Sequence, residues 1–279
     1  MFHEVVFDFP GNLFILTSCL VIMYLVIKSL RKIRQRGSIL IGNAQGIGDR
    51  REQEDSFATA ENEIGVLAVL ADGMGGLSYG KKASNLLTRI FSEEFSKSPN
   101  MSSVSDFLVQ NTHKINKKIL EISKGKKVGS TFVAGIIKDS FLYWISVGDS
   151  QIYLYRNQKI IPINPRHIYK NILESDYRAG KISKRRLLNH SKKERLTSYL
   201  GYDNFRQFDY NQIPIKLKKR DKLLFCSDGV YKSLYDTELE HLLGKRMHPM
   251  ETAELILEEV LEKNIKKQDN ATVIVLEIK

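Results

Sequence analysis

Three strongly apolar runs in this chain end on an aspartate or open from one. Ile64-Gly-Val-Leu-Ala-Val-Leu-Ala71 runs into Asp72, Leu223-Leu-Phe-Cys-Ser227 runs into Asp228, and Asp269-Asn270 opens Ala271-Thr-Val-Ile-Val-Leu276. Short apolar runs of this kind read as buried strands. A carboxylate at the end of such a strand is costly to desolvate unless a cation or hydrogen-bond donors meet it. Convergence of the three strand ends on shared cations is the economical solution. A fourth acidic motif, Arg50-Arg51-Glu52-Gln53-Glu54-Asp55, precedes them in order. Oxygen donors without His or Cys select Mg²⁺ or Mn²⁺ over zinc or copper, and the chemistry expected is metal-assisted hydrolysis. Each Asp-Gly pair alone reads as a turn; the combination carries the signal.

Between these motifs, paired apolar strands alternate with amphipathic helices, which predicts a mixed α/β or α+β domain. Val104, Phe107, Leu108, Ile115, Ile119 and Ile122 recur at helical spacing, as do Met250, Ala253, Ile256, Leu257, Val260 and Leu261. Ser103 or Ser105 suits the cap of the first helix, and Pro249 suits the first turn of the second. Lys138-Asp-Ser140 predicts a hairpin between Thr131–Ile137 and Phe141–Val147. Gly135 within the first of those strands marks a bulge or tight packing. Gly42-Asn-Ala-Gln-Gly46-Ile-Gly48 lacks the Gly-Lys-Ser/Thr ending of a phosphate loop and reads as strand and turn.

The N-terminus reads as a separate piece, residues 1–36. Leu13 to Ile27 carries no charge, and extending it back to Phe9 gives 19 residues, near the roughly 20 that a spanning helix requires. A cleaved signal peptide would place positive charge before the apolar core, whereas Lys28, Arg31, Lys32, Arg34 and Arg36 follow it. The positive-inside rule then predicts a single-pass membrane protein with a cytoplasmic catalytic domain over residues 37–279. Cys19 and Cys226 have no plausible disulfide partner, which agrees with a reducing compartment, and Cys226 reads as core. The formal net charge is +11, concentrated between Arg156 and Arg195, where twelve Lys or Arg face three acidic residues. That excess attracts an acidic or phosphorylated protein, or is a solvated helical face. Nucleic acid is not expected, because no recognised motif or series of stacking aromatics accompanies the basic residues.

The four acidic motifs, in their order, resemble those of the metal-dependent protein serine/threonine phosphatases of the PP2C (PPM) family, bacterial type. Gly129-Ser-Thr131, Val147-Gly-Asp-Ser150 and Arg195-Leu-Thr-Ser-Tyr-Leu-Gly201 extend the resemblance across about Ile39 to Lys279. It implies an α+β fold, a four-layer α-β-β-α sandwich of two antiparallel sheets flanked by helices, with a flap at about 164–195. It also implies hydrolysis of phosphoserine and phosphothreonine in cytoplasmic proteins by a metal-bridged water, with Mn²⁺ or Mg²⁺ as cofactor and a Ser/Thr kinase as counterpart. By the same resemblance Asp72 bridges two ions, the Gly73 carbonyl binds one, Asp228 and Asp269 complete the other, and Glu54 and Asp55 hold waters around them. Asp149 matches a position that helps to bind a third ion, or is a hairpin-turn aspartate. Arg50 has the spacing of the phosphate-binding arginine, with Arg51 as its rival.

Two departures from the family pattern stand out. Met74 follows Asp72-Gly73 where some members have a histidine that serves as candidate general acid. In Asn164-Pro-Arg-His167 an arginine stands where many bacterial relatives carry Asp before the His, which bears on how the flap is anchored. Readings other than the phosphatase are a non-catalytic phosphoprotein-binding module and a regulator of partner-switching type.

Overall fold

The apolar run before Asp72 becomes an interior strand of a sheet that is covered on both faces, and its alternate residues serve two different cores. The structure, a computed structural model, describes residues 17–24, 26, 39–75, 79–99, 101–123 and 125–279. The chain divides into two units, Met1–Ser38 and Ile39–Lys279. Of the first, residues 17–24 and 26 are described; they are helical (α1) and mostly exposed.

The second unit holds two antiparallel sheets. One has the strand order β1 (Ile39–Gly46), β11 (Ala271–Ile278), β10 (Lys222–Cys226), β6 (Gln151–Arg156), β7 (Lys159–Pro162). The other runs β2 (Asp55–Glu61), β3 (Val66–Met74), β4 (Gly129–Lys138), β5 (Phe141–Val147), with the two-residue strands β8 (Asp209–Tyr210) and β9 (Ile215–Lys216) both pairing with β5. Leu67, Val69 and Ala71 of β3 join Phe132, Ala134 and Ile136 of β4 in a core beneath α2 (Tyr79–Ser96) and α3 (Val104–Ser123). Ala68 and Leu70 face the other way, into a core between the sheets shared with Leu223, Phe225, Ile274 and Leu276. On the far side Leu224, Cys226, Val273 and Val275 pack against α7 (Asp236–Gly244) and α8 (Pro249–Glu262). The layers are therefore helix, sheet, sheet, helix, as the family resemblance implies. Cys226 is fully buried and free, and burial pushes its thiol up.

Local signals explain the element ends. The Ser103 hydroxyl accepts the Asp106 N–H at 3.2 Å as the cap of α3, and Pro249 opens α8. Asp139 and Ser140 turn the β4–β5 hairpin with φ of 52° and 64°, the left-handed pair that a two-residue connection demands. Gly135 marks tight packing between sheets: a Cβ there would stand 2.7 Å from Phe225 Cζ. Between β7 and β8 lie α4 (Tyr169–Arg178) and α5 (Lys184–Asn189), with Gly180 at φ +72° between them.

The predicted single-pass membrane location is overturned. Among the described residues no helix is long and apolar enough to cross a membrane. A span needs about 20 apolar residues in helix, and the described part of α1 falls well short of that. Residues 9–16, 25 and 27 of the predicted span, and the basic cluster that follows it, lie outside the described residues.

Candidate active site

The predicted acidic residues arrive at one end of the two sheets by strand register. Asp55 opens β2 opposite Asp72 of β3, which in turn faces Thr131 of β4. Asp228 begins the short helix α6 (Asp228–Tyr231), with Ser227 alone between it and the end of β10, and Asp269-Asn270 precede β11. Asp149 occupies the β5–β6 connection beside Gly148, whose φ of +97° and close approach to Thr131 call for glycine. Gly73 has no room for a side chain either, since a Cβ would overlap the Gly80 carbonyl.

Hydrogen bonds tie the sheets together beneath the cluster. The Asp55 carboxylate accepts from the Ser227 hydroxyl at 2.7 Å and the Thr272 hydroxyl at 2.8 Å, both from the other sheet. Asn270 organises the loop that carries the remaining motif: its Oδ1 accepts the Glu54 N–H at 2.9 Å, and its Nδ2 donates to the carbonyls of Ile47 and Glu52. The Glu54 carbonyl accepts the Gly73 N–H at 3.1 Å. Arg50, not Arg51, reaches the cluster, donating from Nη2 to Asp269 Oδ2 at 2.6 Å. Lys232 pairs with Asp228 Oδ2, and the Tyr231 hydroxyl donates to Asp149 Oδ2 at 3.1 Å.

The electrostatics are those of carboxylates crowded out of water. Burial, then the charges of Asp55, Asp228, Asp149 and Asp269, hold Asp72 well above the usual carboxylate range. Burial pushes Asp55 up to about 7 against the pull of its two hydroxyl donors. Asp149 rises to about 6, from burial first and the Asp228 charge second. Burial also raises Glu54, whose Oε1 is buried with no hydrogen-bond partner. The Asp269 hydrogen bond holds Arg50 above its ordinary value.

The residues fit hard divalent cations. The donor set is all oxygen, Glu54 Oε1 lacks a partner, and no hydrogen bond or ion pair among the described residues reaches the Asp72 carboxylate. The carboxylates ring a common space without closing on a point: among the described residues no group of three or more His, Cys, Asp or Glu is placed to hold one ion. Two of them meet basic partners: Arg50 engages Asp269 and Lys232 engages Asp228. Every predicted site residue thus reaches this end of the sheets. Sequence reading passed over the supports: Ser227 and Thr272, polar within apolar runs; Asn270, quoted in its motif without a role; and Tyr231 and Lys232, one helical turn beyond Asp228.

The segment after β7 is anchored despite its departure from the family pattern. Buried Asn164 accepts the Ile152 N–H at 2.7 Å and donates to the Ser150 carbonyl at 2.9 Å. His167 Nδ1 accepts the Gly148 N–H at 2.9 Å and Nε2 faces Asp209 at 2.6 Å. Arg166 points elsewhere, its guanidinium 5.0 Å from the Tyr231 ring centroid.

Comparison with known proteins agrees with this architecture. The family model described as Protein phosphatase 2C matches residues 46–266. A serine/threonine phosphatase stp of Listeria monocytogenes is 28% identical over 236 residues, covering 82% of this chain and 91% of its own. Among solved structures, the S. agalactiae serine/threonine phosphatase superposes with a TM-score of 0.77 at 24% identity, covering 86% of this chain and 100% of its own. The catalytic domain of the phosphatase PstP in complex with two manganese ions gives 0.69 at 21% identity, covering 86% and 98%.

Proposed function

The chain belongs to the protein phosphatase 2C family, and from that premise we propose that the acidic end of the two sheets is its catalytic centre. The activity is metal-dependent removal of phosphate from serine and threonine in proteins, with Mn²⁺ or Mg²⁺ as cofactor. The observation that carries the site is the gathering of Asp55, Asp149, Asp228 and Asp269, from distant stretches of chain, within electrostatic reach of the buried Asp72 carboxylate.

Asp72 and the Gly73 carbonyl would hold one ion, and Asp72 with Asp228 and Asp269 the other. Divalent ions held there would supply a water of lowered pKa and would screen the charge of a bound phosphate. Asp55, fixed by Ser227 and Thr272, and Glu54, fixed through Asn270, would orient water around them. Arg50 is half-exposed and spends Nη2 on Asp269. Its remaining fork of donors suits two oxygens of a phosphate in a way a lysine would not.

Residues 164–195 would form a flap beside this centre, with its base held by Asn164 and His167. Lys184, Arg185 and Arg186 on it favour acidic or phosphorylated segments. Phosphoserine and phosphothreonine are made by protein kinases, so a Ser/Thr kinase acting on the same proteins is the counterpart this chemistry requires. The full acidic set sets aside the non-catalytic reading.

Asp228→Asn should reduce Mn²⁺-dependent hydrolysis of a phosphothreonine peptide by at least about a hundredfold while the circular dichroism spectrum is unchanged. Undiminished turnover would refute the ligand set.

A further inference from the structure

Building on the ligand set proposed above, we infer that the Lys232 ammonium is a built-in cation that takes the place of a third metal ion between Asp149 and Asp228. This phosphatase then works with two ions.

Asp149 occupies a corner of the site at the β5–β6 connection. Its carboxylate is buried between β5 and β6, beside Asp228. Two carboxylates placed in this way need a positive charge between them. The protein supplies one from its own chain. Asp228 opens α6 and Lys232 is its C-cap, one turn on, with the acidic residue on the N-terminal side, the favourable order for an i,i+4 pair. Lys232 engages Asp228 Oδ2 and lies within electrostatic reach of Asp149 and Asp269. Tyr231, the residue before it, completes the corner by donating to Asp149 Oδ2. Arg166 brings a second cation against the other side of that tyrosine.

The chemistry of lysine suits the role. An ammonium is a compact point charge with three donors, closer to a hard metal ion than a planar guanidinium is. A dication entering this corner would stand beside a charge tethered to the backbone, and the two would repel. The contrast with Asp72 is direct: that carboxylate has no hydrogen bond or ion pair among the described residues. The Lys232 side chain is half-exposed, while that of its partner Asp228 is almost wholly covered.

The test counts ions. Calorimetric titration of the full chain with Mn²⁺, checked by electron paramagnetic resonance of the unbound ion, should give two sites in the wild type. Lys232→Asn and Lys232→Met should each gain a third, Lys232→Arg should stay at two, and Asp149→Asn added to Lys232→Asn should return the count to two. A third ion in the wild type, or no gain in either neutral variant, would overturn the inference. Fewer than two sites in the wild type would instead strike the ligand set on which it rests.

Discussion

Strand β10 has an aspartate near each end, and the fold treats the two in opposite ways. Asp221, just before the strand, is buried and fully met: Arg156 Nε donates to Oδ1 at 2.9 Å, its Nη2 donates to Oδ2, and the Lys218 N–H donates to Oδ2 at 2.6 Å. Asp228, just after the strand, is also buried, yet it faces Asp72, Asp55 and Asp149 with Lys232 as its one ion-pair partner among the described residues. The same side chain, on the same strand and at similar burial, is structural where the protein answers its charge. On the function proposed above, it serves the chemistry where the protein answers its charge with one half-exposed lysine and leaves its carboxylate neighbours to a metal ion.

That contrast can be broken by mutation. Asp221→Ala removes the carboxylate that meets Arg156 Nε and Nη2 and the Lys218 N–H, leaving the guanidinium only its bond to the Lys216 carbonyl, and should cost about 3 kcal/mol of stability, read from denaturant melts, with kcat per folded molecule unchanged. Comparable destabilisation by Asp228→Asn would erase the distinction between the two ends. Asn164 offers a smaller test at the base of the basic segment. Asn164→Ala strands the Ile152 N–H and the Ser150 carbonyl in a buried site, and about 2 kcal/mol should be lost. A loss near zero would mean that His167 alone anchors the segment.

The strands that end at Asp72 and Asp228 were legible because apolar residues filled both faces of each run, a pattern that only a covered sheet produces. Convergence of the carboxylates was legible too, as a consequence of the cost of leaving each alone. Their compensation was less so. Ser227 and Thr272 look like ordinary strand residues until the register brings both hydroxyls to Asp55 across the sheet boundary. Lys232 could have been found by its four-residue offset from Asp228, but only if a helix was expected to begin at the aspartate itself. The N-terminal run went the other way: its apolar length and flanking charges predicted a membrane span, while the described helix there is too short to cross one. Arg166 in place of an aspartate argued against the usual anchoring, and the structure supplies anchors from its neighbours Asn164 and His167.

The central claim is that divalent ions make this crowding of carboxylates tolerable, and stability against pH tests it most directly. Without metal, Asp55 has a folded pKa of about 7 against an ordinary value of 3.8. The native state therefore binds more protons than the unfolded state between those values, and stability falls as pH rises through that window. Asp149, with a folded pKa of about 6, acts in the same direction. The measurement is the unfolding free energy of the metal-free chain from pH 4.5 to 8, with and without saturating Mn²⁺, alongside Asp55→Asn. The account predicts that the wild type declines with pH relative to Asp55→Asn, and that Mn²⁺ stabilises the wild type more at pH 8 than at pH 5. Metal-free stability that rises against Asp55→Asn through this range, or unfolding indifferent to Mn²⁺ at both pH values, would contradict it.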